Sequence, residues 1–216
     1  MKKIASPLFQ DLSEAELDTL AAAGHLRTRQ FAKHEVIFRA GSCVREIGIV
    51  LRGSVHIENL DLWGTKSILS SVGAGQAFAE TYAFCGEALM VDAVAAEHCE
   101  ILFLHTAAFT DARIEPALPD KLLRRLLAVS MRKNLSLSQR IFCTTPKTVR
   151  GRLLTYFSAQ AARCGRMEFE VPFNRQQMAD YLNLDRSALS KELCKMRDEG
   201  LLEFDKNRFV LKQLPE

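Results

Sequence analysis

Short apolar segments separated by glycine-marked turns fill the first half of the chain, from Arg27 to about Leu104. Residues 47–51 form an apolar run of strand length, whereas residues 54–58 alternate polar and apolar side chains as a half-buried strand does. Residues 61–64, Asp-Leu-Trp-Gly, have the composition of a hairpin turn, and residues 100–104 complete the set. Many short strands at this spacing predict a sandwich or barrel.

Helical patterns flank these strands on both sides. Residues 8–24 predict a short helix, because Ser13 and Glu16 have the spacing of a capping box. After Pro119, Asp120 can cap a second helix that continues to about Cys143. At about 1.5 Å per residue this helix is roughly 36 Å long.

A heptad seam runs along the long helix, and it is mostly apolar. It consists of Leu123, Leu127, Ser130, Asn134, Leu137 and Ile141. The apolar surface extends beyond the seam through Leu122, Leu126, Val129 and Met131. A helix with two apolar faces must pack on two surfaces, either both within its own chain or one of them on a symmetry mate. The polar pair inside the seam favours the symmetry mate, because one buried polar layer can fix the register of a dimer.

The C-terminal third has the pattern of two short helices joined by a tight turn. Residues 144–147, Thr-Thr-Pro-Lys, interrupt the long helix as a hinge would, and residues 148–163 resume the helical period. Asn174 can cap the next helix, Asn183 tolerates the left-handed conformation that the turn requires, and Asp185 can cap the last helix. The apolar faces of the two helices are Met178, Ala179 and Leu182, and then Leu189, Leu193 and Met196.

The opposite face of the last helix is solvated and basic. It carries Arg186, Ser187, Ser190, Lys191, Cys194 and Lys195. An ordinary helical hairpin would also have a polar outer face. However, residues 200–211 read as two short strands around a polar turn, which is the pattern of a wing. The order of strands, long helix and wing therefore favours a winged helix-turn-helix.

Composition and charge are consistent with a nucleic-acid partner. The formal net charge is +3, and the whole excess lies from Thr144 onward, where thirteen Lys and Arg accompany ten Asp and Glu. No apolar run is long enough to span a bilayer or to serve as a signal segment, so a cytoplasmic location and no membrane partner are expected. The six cysteines show neither a Cys-x-x-Cys pair nor zinc spacing, which predicts free and mostly half-buried thiols.

Five stretches resemble the CRP/FNR superfamily of transcription regulators, named after the catabolite activator and the fumarate–nitrate regulator. The similarity lies in residues 33–41, 49–55, 75–80, 174–179 and 185–193. It implies an α+β fold with three parts: a β-roll of the jelly-roll, cyclic-nucleotide-binding type (1–118), a dimerisation helix (119–143) and a winged helix-turn-helix (144–216). The family implies an allosteric homodimer that senses a small effector, binds double-stranded DNA, and contacts RNA polymerase if it activates.

The resemblance also assigns DNA contacts to residues of the two short helices. They are Arg186, Ser187, Ser190, Lys191, Lys195, Arg175 and Gln176. Arg186 matches a position that reads guanine through O6 and N7, and Ser187 stands where many relatives carry a glutamate that accepts from cytosine. A serine can donate or accept, so the preferred half-site is expected to differ from theirs and to be less strict at that base pair. Lys191 matches a base or phosphate contact, whereas Lys195, Arg175 and Gln176 are expected on the phosphate backbone. A dimer then implies a palindrome with half-sites about one helical turn apart.

The effector region departs from the family. Cyclic-nucleotide binders place an arginine after the Phe-Gly-Glu turn, but residues 87–93 contain none and carry Asp92, and Ala79 replaces the glycine before Glu80. Cyclic AMP is therefore not expected, nor is an iron–sulfur cluster, because no cysteine precedes Cys43. A small organic effector in an apolar pocket is expected instead. Its predicted lining is Phe78, Glu80, Tyr82, Phe84, Leu89 and Asn134.

Three alternatives remain beside this interpretation. A haem- or redox-sensing regulator of the same family would use one of the histidines at 25, 34, 56, 98 and 105, or a cysteine. A jelly-roll enzyme would need two histidines and a glutamate within one strand pair, or a nucleophile with its base, and neither grouping occurs. A β-roll that only tethers proteins would leave the wing unexplained. We therefore predict no enzymatic activity and no metal site.

Overall fold

Two units make up the chain, Met1–Met131 and Arg132–Glu216, in a computed structural model that describes residues 4–60 and 66–212. The boundary between them falls inside the long helix, whereas the sequence suggested limits at residues 118 and 143. The hairpin turn predicted at residues 61–64 lies outside the described residues.

The first unit contains two four-stranded antiparallel sheets. In strand order, one sheet consists of β1 (Leu26–Phe31), β8 (Cys99–His105), β3 (Glu46–Arg52) and β6 (Ala77–Phe78). The other consists of β2 (Val36–Phe38), β7 (Asp92–Ala95), β4 (Val55–Leu60) and β5 (Lys66–Val72). The predicted sandwich is thus confirmed, including the strands expected at residues 47–51, 54–58 and 100–104.

The central strands of the first sheet are buried on both faces, which explains their nearly continuous apolar sequences. On β8, Ile101 and Phe103 pack in the core with residues of both sheets, whereas Leu102 and Leu104 pack with the helical layer. Successive side chains of a strand point to opposite faces, so one strand serves both cores.

Two short helices belong to this unit. Helix α1 (Glu14–Ala22) begins with the predicted capping box, in which the Glu16 amide donates to Ser13 Oγ at 3.2 Å and the Ser13 amide donates to Glu16 Oε2 at 2.7 Å. Helix α2 (Glu80–Cys85) follows β6 after a single residue, Ala79. Ala79 precedes α2 in the left-handed conformation, with φ of 61°, which glycine adopts more readily than alanine.

The long helix α3 (Ala117–Thr144) begins three residues before the predicted cap, Asp120. Pro119 lies in its first turn, where the missing amide proton has no intrahelical acceptor to lose. The expectation that the helix starts after Pro119 was therefore wrong. Leu118, Leu122 and Leu126 are buried in the helical layer on the first sheet.

The second unit is a winged helix. After α3, the chain breaks at residues 145–148, as predicted, and continues as α4 (Val149–Cys164). The remaining elements are β9 (Glu168–Glu170), α5 (Arg175–Leu182), α6 (Arg186–Asp198), β10 (Leu202–Asp205) and β11 (Arg208–Leu211). The wing strands pair in the order β10-β11-β9, so the wing has a third strand that the sequence did not reveal.

The cysteines differ from expectation in their exposure. Cys99 and Cys143 are buried, but Cys43, Cys85, Cys164 and Cys194 are exposed, so the thiols are not mostly half-buried. Within residues 4–60 and 66–212, no group of His, Cys, Asp and Glu side chains could hold a metal ion. In the same ranges, every helix is too short or too polar to cross a membrane.

Candidate nucleic-acid interface

Two asparagines define the ends of α5, and the second of them begins the turn that leads into α6. The Gln177 amide donates to Asn174 Oδ1 at 2.9 Å and the Asn174 amide donates to Gln177 Oε1 at 2.9 Å, a reciprocal cap at the start of α5. Asn183 ends α5 in the left-handed conformation, with φ of 52° and ψ of 54°. Ala179 is fully buried, as expected where two helices cross closely.

Asp185 fixes the start of α6. Its carboxylate accepts the amides of Ser187 at 2.8 Å and Ala188 at 3.0 Å, and it also accepts the Ser187 hydroxyl. The hydrogen bond from the Ser187 hydroxyl, followed by the Ala188 amide, lowers the pKa of Asp185 below its ordinary value. Because the Ser187 proton is used in this way, the hydroxyl oxygen presents acceptor lone pairs to solvent.

The outer face of α6 is free of the protein core. Arg186, Ser187, Lys191 and Lys195 are exposed and Ser190 is half-buried. Leu189, Leu193 and Met196 on the opposite face are fully buried, as predicted. The sequence therefore identified correctly which side of α6 is exposed and which is buried.

Arg175 lies differently from the other predicted DNA contacts. Its guanidinium stacks over the rings of Phe204 and Phe209 in the wing, with its Cζ at 4.9 and 5.1 Å from their centroids. Burial lowers the pKa of Arg175 from its ordinary value. Gln176 is exposed, and its amide donates to Asp180 Oδ1 at 2.9 Å. Gln176 therefore remains available at the surface, whereas Arg175 is partly used in packing the wing onto α5.

A shallow cavity of about 420 Å³ lies between the start of α5 and the wing turn. It is lined by Pro172, Phe173, Asn174, Arg175, Lys206 and Asn207. Two cationic side chains and the amino end of a helix meet there, which is an arrangement that favours anions.

Arg150 in α4 forms hydrogen bonds with the buried side and the end of α6. Its Nε donates to Glu192 Oε1 at 2.6 Å and its Nη2 donates to Glu199 Oε1 at 2.9 Å. The hydrogen bond to Glu199, followed by the one to Glu192, raises the pKa of Arg150 above its ordinary value. The hydrogen bond with Arg150 lowers the pKa of Glu199. Arg150 thus neutralises part of the acidic charge of α6 and holds that helix against α4.

The predicted seam of α3 is an exposed apolar stripe. Leu127 is 56% exposed and Ile141 is 66% exposed, and Leu123, Asn134 and Leu137 are exposed as well, whereas Ser130 is half-buried. Exposed apolar stripes of this length commonly mark interfaces.

The residues predicted to line the effector pocket are only partly brought together. Phe78 and Leu89 are buried in the core between the sheets, and Tyr82 packs against it. Glu80 is buried, but Phe84 is half exposed and contacts Phe109, with the ring centroids 5.6 Å apart. Asn134 belongs to the second unit, where it accepts a hydrogen bond from Ser138 Oγ.

Residues 87–93, which lead from α2 into β7, contain no lysine or arginine. Leu89 is buried, Met90 is 77% exposed, and Asp92 accepts the Ala40 amide at 2.6 Å. Three histidines contact neighbouring polar groups of the protein. His25 lies 2.7 Å from the Asp111 carboxylate, His105 accepts a hydrogen bond from the Ala107 amide, and His56 lies near the Glu58 carboxylate.

Comparisons with known proteins agree with this architecture. The family model "Cyclic nucleotide-binding domain" matches residues 28–113, and the model "Crp-like helix-turn-helix domain" matches residues 151–216. No curated protein sequence matches the chain.

Solved structures share the fold over most of their length. The catabolite activator protein of Thermus thermophilus is 24% identical, with 96% of this chain and 94% of that chain covered and a TM-score of 0.50. FixK2 from Bradyrhizobium japonicum is 19% identical over 87% of this chain and 93% of that chain, with a TM-score of 0.52. CprK complexed with OCPA is 14% identical over 91% of this chain and 90% of that chain, with a TM-score of 0.64. With both domain models matched in the family's order, the chain belongs to the CRP/FNR family of DNA-binding transcription regulators.

Proposed function

We propose that the protein is an effector-responsive homodimer that binds palindromic promoter DNA in the cytoplasm through α6. The observation that carries this proposal is the exposed basic face of α6. The Asp185 cap fixes the start of this helix, and its opposite, apolar face is fully buried. If the protein activates transcription, RNA polymerase is a second protein partner.

Each exposed side chain of α6 has a distinct chemistry for DNA. Arg186 in the first turn offers a bidentate pair of donors to guanine O6 and N7. The Ser187 hydroxyl donates its hydrogen bond to Asp185, so its oxygen can accept one from cytosine N4. Ser190 and Lys191 lie on the same face for further base or phosphate contacts, and Lys195 and Gln176 suit phosphates. Arg175 would approach a phosphate only from the cavity beside the wing turn.

Binding-site selection on the wild type, Arg186→Ala and Lys195→Ala tests this assignment. We expect Arg186→Ala to cost about 1–3 kcal/mol and to relax one base preference. Lys195→Ala should weaken binding to all sequences alike and flatten the salt slope by about one. An unchanged selected motif for Arg186→Ala would contradict the placement of the recognition helix.

Dimerisation is proposed to occur through the α3 seam. Leu127→Glu would bury a charge at an apolar position of the interface, so we expect monomers in sedimentation experiments at micromolar concentration. Arg132→Glu, on the same helix but outside the seam, serves as the matched control and should remain dimeric. A wild type that is monomeric with and without DNA would contradict the proposal.

The effector is proposed to be a small organic molecule other than cyclic AMP. A cyclic phosphate in this β-roll would meet Asp92 without a cation in residues 87–93, and an unpaired buried phosphate is strongly disfavoured. Calorimetry with cyclic AMP should give no heat of binding. Micromolar binding would contradict this part of the proposal, while mass spectrometry of molecules retained through native purification would identify the effector.

A further inference from the structure

Two arginines from outside the helix-turn-helix bind the carboxyl end of α5. The last carbonyl groups of any helix lack intrahelical partners and carry the negative end of its dipole. Arg140, near the end of α3, donates through Nη2 to the Asp180 carbonyl at 2.9 Å and through Nε to the Tyr181 carbonyl at 3.0 Å. One guanidinium therefore satisfies two successive carbonyls of α5.

Arg152, in the first turn of α4, continues this pattern. Its Nη1 donates to the Leu182 carbonyl at 3.1 Å and to the Asn183 carbonyl at 2.7 Å. Its Nε donates to the Pro146 carbonyl at 2.8 Å, in the segment between α3 and α4. The two arginines together satisfy four consecutive carbonyls, from the last turn of α5 into the turn before α6.

The segment between α3 and α4 is itself tightly packed. Cys143 is fully buried in the core of the second unit, and the hydroxyls of Thr144 and Thr145 both donate to the Ile141 carbonyl. A Cβ atom on Gly151 would lie 2.9 Å from Pro146 Cβ, closer than such atoms approach each other. The segment that the sequence suggested as a hinge is thus a packed elbow.

We infer that Arg140 and Arg152 are positioning residues for DNA binding, which fix the recognition helix rigidly to the last turns of α3. Leu137 and Ile141 of the seam lie in the same turns as Arg140. In a dimer that uses this seam, the two arginines therefore set the distance and angle between the two recognition helices. This inference rests on the proposed function, since it requires both the dimer and the palindrome.

The chemistry of arginine is essential to this role. Its planar guanidinium presents several N–H donors in a fixed fork, so one side chain can hold two carbonyls at a defined angle. A lysine could supply a positive charge and one hydrogen bond at a time, but it would not fix the direction of α5. A neutral glutamine would retain one short donor group and lose the interaction with the helix dipole.

The test compares three DNA duplexes: the selected palindrome, a single half-site, and palindromes whose central spacing is lengthened or shortened by a base pair. The proteins are the full-length wild type, Arg140→Gln, Arg140→Lys and Arg132→Gln. Arg132 is exposed on the same helix and makes no hydrogen bond or ion pair within the described part of the chain, so it is the matched control. The unfolding midpoint in urea is measured for each variant.

We expect Arg140→Gln to bind the palindrome about tenfold more weakly, as loss of hydrogen bonds from a charged group implies, and to lose its preference for one spacing. The affinity of Arg140→Gln for the single half-site should stay at the wild-type value. The affinity of Arg140→Lys for the palindrome should lie between those of Arg140→Gln and the wild type, and Arg132→Gln should match the wild type on every duplex. An unchanged ratio of palindrome to half-site affinity in Arg140→Gln and Arg140→Lys would overturn the inference. A wild type that selects no DNA site would instead overturn the proposed function itself.

Discussion

The buried hydroxyl of Tyr156, in α4, lowers the free energy of unfolding of the second unit. Its side chain is 2% exposed and is enclosed by the rings of Phe157, Phe173 and Tyr181, with centroids between 5.6 and 6.4 Å away. Its hydroxyl is buried and has no hydrogen-bond partner among the described residues. We therefore expect Tyr156→Phe to stabilise the protein, although it removes atoms from a packed core.

The magnitude follows from two opposing terms. A buried hydroxyl without a hydrogen bond costs about 1–3 kcal/mol in proteins. Removing the oxygen leaves a void of roughly 15 Å³, which at about 24 cal/mol per Å³ costs roughly 0.4 kcal/mol. The first term is larger, so the expected gain in the free energy of unfolding is about 0.6–2.6 kcal/mol.

Native-state hydrogen exchange of the α4 and α6 amides is the suitable assay, because a chain of two units need not unfold in one transition. Tyr181→Phe is the matched control. Tyr181 belongs to the same ring cluster but is only half-buried, so its variant should change protection little. Reduced protection in Tyr156→Phe would refute the reasoning, since it would mean that the hydroxyl contributes a favourable interaction.

Three further results are expected. Burial holds the pKa of Tyr156 above its ordinary value of 10.0. The unfolded state therefore ionises first, and the free energy of unfolding falls as the pH rises past that value. In urea titrations, Tyr156→Phe should remove part of this loss of stability at alkaline pH. Gly48→Ala should destabilise the first unit by about 1–3 kcal/mol or more, because its Cβ would lie 2.3 Å from Cζ of the buried Phe78 ring. Gly86→Ala should cost about 1–2 kcal/mol by thermal melting through its φ of 74° alone, with no atom within 4 Å of the new Cβ, and Gly86→Asn should cost less.

The features that the sequence predicted well are those decided by near neighbours in the chain. The caps at Ser13, Asn174 and Asp185 are hydrogen bonds between residues two or three positions apart, so their residue types and spacing are sufficient to identify them. Buried strands and the apolar face of α6 follow in the same way from periodicity. These local signals were sufficient for the order of the elements and for the exposed face of α6.

The features that were missed depend on residues distant in sequence. Strand β9 has three residues and exists because Phe169 pairs with Phe209 of the wing. The stacking of Arg175 was not predicted, because the rings that receive it, Phe204 and Phe209, follow about thirty residues later in the chain. The start of α3 was misplaced because Pro119 is read as a break, although a proline in a first turn is compatible with a helix.

The hydrogen bond between Ser187 and Asp185 limits how this regulator can change its operator during evolution. A Ser187→Glu substitution would place a second carboxylate beside the one that caps α6, and two like charges at this distance repel. A change of base preference at this position therefore requires a compensating change at Asp185, for example to serine, which caps a helix without charge. Replacement of Ser187 by an acidic residue is thus expected to occur in this lineage together with a substitution at Asp185 rather than alone.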